Sequence, residues 1–182
     1  PADLSSNQAF TLSDESTFTS SGKVGPSAFP AMSQSPFTFS AGDGVRTLYA
    51  RFRDKAGNDA ITSTQLTLDT VVPTGSFTLT GTLADGSLSS TVTSSNQVTV
   101  NLSAGGATEY RLGDATMTTC PASGYTPITT AALTNQTLPA GGVMTLCLRD
   151  AAKNTQGPLS QTLGLDTSAP AGCAFTLAGK KL

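Results

Sequence analysis

The sequence predicts an all-β protein made of tandem β-sandwiches, and three observations carry that prediction. Segments rich in Thr, Val, Leu and Phe alternate with clusters of Gly, Pro, Asn, Asp and Ser, the pattern of short antiparallel strands joined by turns. No stretch shows the apolar spacing of an amphipathic helix. The chain also repeats itself. Leu66-Thr67-Leu68-Asp69-Thr70-Val71-Val72-Pro73 recurs as Leu163-Gly164-Leu165-Asp166-Thr167-Ser168-Ala169-Pro170, and Arg53-Asp54-Lys55-Ala56-Gly57-Asn58 recurs as Arg149-Asp150-Ala151-Ala152-Lys153-Asn154.

Further matches fix the phase. Phe10-Thr11-Leu12-Ser13-Asp14 corresponds to Tyr110-Arg111-Leu112-Gly113-Asp114. Gly75-Ser76-Phe77-Thr78-Leu79-Thr80-Gly81 corresponds to Gly172-Cys173-Ala174-Phe175-Thr176-Leu177-Ala178-Gly179. The period is about one hundred residues, the size of an immunoglobulin-like sandwich. With the proline after Leu-Asp-Thr as the boundary, residues 1–73 form a unit lacking its first strand and residues 74–170 a complete unit. Residues 171–182 are the first strand of a further unit, or a strand donated elsewhere. Proline at each boundary fixes the exit direction of the chain, so the units are expected to line up as a rod.

In the complete unit the pattern places strands at 76–80, 97–103, 108–113, 135–138, 143–149 and 160–166. In the first unit, a strand over 45–54 puts Leu48, Ala50 and Phe52 on a core face and Tyr49, Arg51 and Arg53 on the other. Met144, Leu146 and Leu148 take the core places in the second unit. Leu66 and Leu68, with Leu163 and Leu165, form the neighbouring apolar ladder of each unit. Between these strands, Asp54 to Asn58 and its counterpart read as hairpin turns in which Asp accepts backbone N–H bonds and a residue takes positive φ. The segment 22–35, with Pro26, Pro30 and the nearby Pro36, reads as a long loop, and its Phe29 and Met32 are the candidate ligand contacts.

Composition narrows the function classes. Only 12% of residues are charged and the formal net charge is −2. Roughly 50 Ser and Thr side chains provide polarity instead, as suits exposed strand faces. The chain has no histidine, which removes every Ser-His, Cys-His and zinc-histidine arrangement. The 10 Lys and Arg are spread along the chain without a basic patch, so a nucleic-acid partner is not expected. No apolar run reaches the roughly 18 residues that span a bilayer. Asp14 and Glu15 are adjacent and therefore face opposite sides of a strand, which is no geometry for a catalytic acid pair. No catalytic residues are assigned.

At Leu66-Thr-Leu-Asp-Thr-Val-Val-Pro73 and Asp54-Lys-Ala-Gly-Asn58 the chain resembles the tandem bacterial Ig-like repeats of large surface and secreted adhesins. Those units typically end in Asp-Ala-Ala-Gly-Asn, a short strand, then Leu-Asp-Thr-Thr-Ala-Pro. The resemblance implies sandwiches of about seven strands stacked end to end, a place outside the cell or on its surface, and a role as stalk or adhesive array. Some members bind calcium where units meet, through the Asp of Leu-Asp-Thr. Carried over, this nominates Asp69 and Asp166, with Asp54, Asn58 and Asp150 nearby, although no dense Asp-x-Asp cluster supplies the six to eight oxygens that calcium takes. In an extracellular chain the three cysteines suggest one disulfide, Cys120 to Cys147, with Cys147 on the outward face of its strand. Cys173 then takes a partner outside the chain, as in a link between subunits, or stays a free thiol.

The leading expectation is a non-enzymatic stalk or spacer of an extracellular fibre or adhesin, partnered by adjacent repeats. A self-assembling filament is the alternative, with the strand at Phe175, Thr176 and Leu177 completing the first unit of another copy. A third is an adhesin domain that binds a host or cell-surface ligand.

Overall fold

The computed structural model describes residues 9–19, 24–28, 37–40 and 42–177, and among these there is no helix. The chain divides into two compact units, Pro1–Val71 and Val72–Leu182. Both are all-β, with sheets that are mostly antiparallel.

The second unit opens with β5 (Thr74–Thr82), β6 (Leu88–Ser89) and β7 (Val92–Thr93). It continues through β8 (Gln97–Gly105), β9 (Glu109–Gly113), β10 (Thr126–Pro127) and β11 (Ala132–Thr137). It ends with β12 (Val143–Arg149), β13 (Thr155–Thr162) and β14 (Gly164–Leu165). One sheet has the order β11-β8-β5-β6 and another β10-β9-β12-β13, with β14 paired in parallel to β7. Phe77 and Leu79 of β5, Val98, Val100 and Leu102 of β8, and Met144, Leu146 and Leu148 of β12 form one buried cluster. A core drawn from two sheets is the arrangement of a β-sandwich.

The alternation along these strands explains the cluster. Buried and exposed positions trade places through Phe77, Thr78 and Leu79, as a pleated strand with one wet face requires. On β12 both faces are closed: Met144, Leu146 and Leu148 meet the core, while Thr145 and Cys147 on the opposite side are also buried. Cys147, expected to face outward, does so only with respect to the sandwich core, because a loop covers it. Asn135 has a φ of 56°, and the β11–β8 register shifts between Leu133 and Gln136. The strand thus runs over Ala132–Thr137 where 135–138 was expected, with the bulge inside it.

The first unit contains β1 (Ala9–Ser13), β2 (Val24–Ala28), β3 (Gly44–Arg53) and β4 (Asp59–Leu68), in the sheet order β2-β1-β3-β4. This is the order β10-β9-β12-β13 again, and β1 pairs with β3 in the register in which β9 pairs with β12, whereas β12 and β13 carry a bulge between Leu146 and Leu148 that β3 and β4 lack. Leu12 pairs with Ala50 and Phe10 with Phe52, as Leu112 pairs with Leu146 and Tyr110 with Leu148. Pro26 lies in β2, inside the segment expected to be a loop. It is tolerated there because β2 is an edge strand whose register shifts against β1.

Burial does not repeat with the pairing. Leu48, Ala50 and Phe52, expected in the core, are only half-buried, and the leucine ladder is no better covered, with Leu66 40% exposed and Leu68 half-buried. Their counterparts Met144, Leu146 and Leu148 are at most 2% exposed. Among the described residues the first unit has one sheet and no second sheet to lay on it. In the second unit Leu163 is fully buried while Leu165 is 47% exposed, so only one of that expected pair joins the core.

Candidate functional site

The repeated Asp-to-Asn turns are built identically in both units. Asp54 Oδ1 accepts the Asn58 backbone N–H at 2.9 Å and Oδ2 accepts the Asn58 side-chain amide at 2.9 Å. Asp150 and Asn154 repeat both bonds at 2.9 Å. Each turn is closed by the Asp N–H donating to the Asn carbonyl at 3.1 Å. The residue with positive φ is Gly57 at 90° in one turn and Lys153 at 76° in the other, a conformation that glycine adopts at no steric cost. Asn58 accordingly acts as a donor to the carboxylate.

These bonds use the oxygens that a cation needs. The Asn58 side chain, then the Asn58 backbone, hold the Asp54 carboxyl below the usual carboxylate range. Burial pushes the Asp150 carboxyl up, but the Asn154 side chain and the surrounding N–H groups outweigh it and leave it lowered. Asp69 Oδ1 accepts the Val71 N–H at 3.1 Å, and Asp166 Oδ1 accepts the Ser168 N–H at 2.9 Å, so both Leu-Asp-Thr carboxylates cap their own turns. Among the described residues no three His, Cys, Asp or Glu side chains gather where they can hold a metal ion. Of the five residues nominated for calcium, Asp54 and Asn58 share one turn, and Asp69, Asp150 and Asp166 each lie in another.

The strongest constellation lies on the outer face of β9 and β12, under the loop that joins β9 to β10. Cys120 in that loop is bonded to Cys147, with the two Cα atoms 5.7 Å apart. Thr145 Oγ1 donates to the Asp114 carbonyl at 2.9 Å. Arg111 Nη1 donates to the carbonyls of Ser123 and Gly124, each at 3.1 Å. Arg149 Nη1 donates to the Ala122 carbonyl at 3.0 Å, its guanidinium carbon stands 3.9 Å from the Tyr125 ring centroid, and its Nε pairs with Glu109 at 2.8 Å. Lys153 adds a second cation to Glu109 at 3.0 Å. These two side chains, Lys153 first, hold the Glu109 carboxyl below its usual range.

Beside this loop is an open cleft of about 330 Å³, lined among others by Arg111, Asp114, Thr116 and Met117. Of its ionic groups, Asp114 Oδ1 accepts from the Thr116 N–H at 2.9 Å and from the Thr116 hydroxyl, while the buried Arg111 Nε has no hydrogen-bond partner among the described residues. The hydroxyls that line it are those of Thr116 and Thr119.

The expected donor strand lies outside any sheet. Phe175 is 86% and Leu177 90% exposed, Thr176 between them is exposed, and Cys173 is an exposed free thiol. Phe29 and Met32 lie outside the described residues. Two features escaped the sequence reading. Arg51 stands over the Phe18 ring, its guanidinium carbon 4.8 Å from the centroid. Thr93 is fully buried with its hydroxyl among the backbone groups of Thr82 and Ser95. Only the correspondence of Arg51 with Cys147, visible from the repeat, hinted that something is pinned at that position. No family model, curated protein or solved structure matches the chain.

Proposed function

We propose that the chain is a non-enzymatic structural module of a bacterial extracellular fibre or adhesin, in which Ig-like repeats supply length. The observation that carries this reading is the duplicated sheet: β2-β1-β3-β4 and β10-β9-β12-β13 share order, the register of the inner pairs β1–β3 and β9–β12, and the Asp-to-Asn turn, while the loops around them differ. A repeated scaffold with each unit holding itself together is what a spacer needs. The disulfide supports a place outside the reducing cytosol. The proline-bearing junction after Leu-Asp-Thr supports units set in line.

Small-angle X-ray scattering of the chain tests it. The expected radius of gyration lies clearly above the roughly 16 Å of a single compact domain of this length. A value at that compact limit overturns the spacer reading.

A further inference from the structure

We infer that Asn135 is a glycosylation site, the acceptor of an N-linked sugar on the edge strand of the second unit. The inference goes beyond the spacer role and rests on that reading only for a place outside the cytosol.

The sequence offers two acceptor patterns, Asn101-Leu102-Ser103 and Asn135-Gln136-Thr137. The structure separates them. Asn101 is half-buried in β8, which lies between β11 and β5, and its Nδ2 donates to Thr80 Oγ1 at 3.0 Å. A transferase would have to open the sheet to reach it. Asn135 is exposed on β11, which among the described strands pairs with β8 alone and ends its sheet. Thr137 is exposed as well, so the amide and the hydroxyl that a transferase reads together both stand on the surface.

The bulge in β11 turns this pattern outward. Leu133 pairs with Val100 and Gln136 with Val98, so Thr134 and Asn135 together stand opposite Thr99. In an unbroken strand with Leu133 in the core, Asn135 and Thr137 would face inward with it. The extra residue inverts the faces beyond it. Leu138 is accordingly buried, while Asn135 and Thr137 are exposed. Asn135 takes a φ of 56° at the bulge, and asparagine is among the residues that adopt this region at least cost.

The edge itself gains from a sugar. Unpaired N–H and C=O groups along an edge strand invite pairing with another chain, and charged side chains are a usual guard against it. Residues 115–148 contain no Asp, Glu, Lys or Arg, so β11 lies in the middle of a stretch without a charge. A glycan at Asn135, bulky and strongly hydrated, covers that edge.

In the transfer, Asn135 Nδ2 bonds to the anomeric carbon of a sugar held as a glycosyl diphosphate, carried on a nucleoside or on a lipid. The bond from that carbon to the diphosphate oxygen breaks, the diphosphate leaves with the electron pair, and the amide gives one proton to a base of the transferase.

The test uses the chain isolated from the cells that make it. Trypsin cuts after Arg111 and Arg149, so one peptide, 112–149, carries both Asn135 and the Cys120–Cys147 disulfide. Mass spectrometry of this peptide without reduction is expected to show a sugar on Asn135, and the peptide that holds Asn101 is expected to be bare. A single monosaccharide marks a nucleoside diphosphate as the carrier, and an oligosaccharide transferred whole marks a lipid diphosphate. In the same cells, Asn135→Gln and Thr137→Val are expected to abolish the addition and Thr137→Ser to keep it, with the disulfide formed in all three. A bare Asn135 overturns the inference. The extracellular reading then stands if the disulfide in that peptide is formed, and falls with the inference if it is reduced. Addition that survives Thr137→Val overturns the inference too, as does a sugar on Asn101 in place of Asn135.

Discussion

The Arg51 guanidinium carbon lies 4.8 Å from the Phe18 ring centroid, and Arg51 occupies on β3 the place that Cys147 occupies on β12. Thr11 pairs with Arg51 as Arg111 pairs with Cys147. In each unit the pair fastens the loop after the first strand of this sheet to the sheet's outer face, by a cation over a ring in one and by a disulfide in the other. Breaking each fastening is therefore expected to act on its own unit. Replacing Cys120 and Cys147 together by Ala should cost the second unit roughly 3–4 kcal/mol for a loop of this length in the chain-entropy model. Hydrogen exchange is expected to show the loss in β12 and β13, with β3 and β4 unmoved.

Phe18 is the corresponding residue of the first unit and is 5% exposed. Phe18→Leu keeps most of the apolar contact and removes the ring under Arg51, so it should cost about 0.5–1 kcal/mol. Phe18→Ala should cost about 3–5 kcal/mol. Amide exchange rates in β1 and β3 measure both, and a Phe18→Leu variant as protected as the parent would rule out a contribution from the cation.

The turn glycine makes a smaller prediction. Gly57 has a φ of 90° and open space where a Cβ would stand, so Gly57→Ala should cost only the left-handed backbone penalty, about 1 kcal/mol. Urea unfolding of the first unit, followed through β3 and β4 amides, checks it. The turn itself should persist, since Lys153 already bears a side chain in the same conformation in the other unit.

Thr93 is fully buried, with its hydroxyl 2.9 Å from the Ser95 carbonyl and 3.2 Å from the Thr82 N–H. Thr93→Val keeps the shape and strands those backbone groups, at an expected cost of about 1–3 kcal/mol to the second unit. Thr93→Ser, which keeps the hydroxyl, should cost less. Thermal denaturation of the two variants separates the bond from the packing.

The pH dependence follows from the carboxylates. Asp54, Asp59, Asp85, Asp114 and Asp150 are lowered from 3.8 and Glu109 from 4.5. A depressed folded pKa contributes stability that is fully present above the unfolded value and is lost as the pH falls through the folded one. With no histidine, the melting temperature should be nearly flat between about pH 6 and 8 and fall below about pH 4. Melting curves across that range check the window, and a step near pH 6.5 would contradict it. Because the turn N–H groups already occupy the nominated carboxylates, EDTA is expected to leave the neutral-pH melting temperature unchanged.

The sequence by itself determined the secondary-structure class, the repeat and its phase, the strand 143–149 and the two hairpin turns. Those are local matters: period-two alternation, turn residues and an Asp that bonds four residues ahead act within a few residues of chain. It also paired Cys120 with Cys147, because two cysteines within one unit leave few choices. Burial was decided only by the tertiary structure. Leu146 and Ala50 stand at the same register on the same kind of strand, yet one is fully buried and the other half-exposed. Leu146 lies under a second sheet and, among the described residues, Ala50 does not; that cover comes from residues far away in the chain. The same reason hid the Arg51–Phe18 contact and the buried Thr93 hydroxyl: each depends on where a loop lands, which no local pattern encodes.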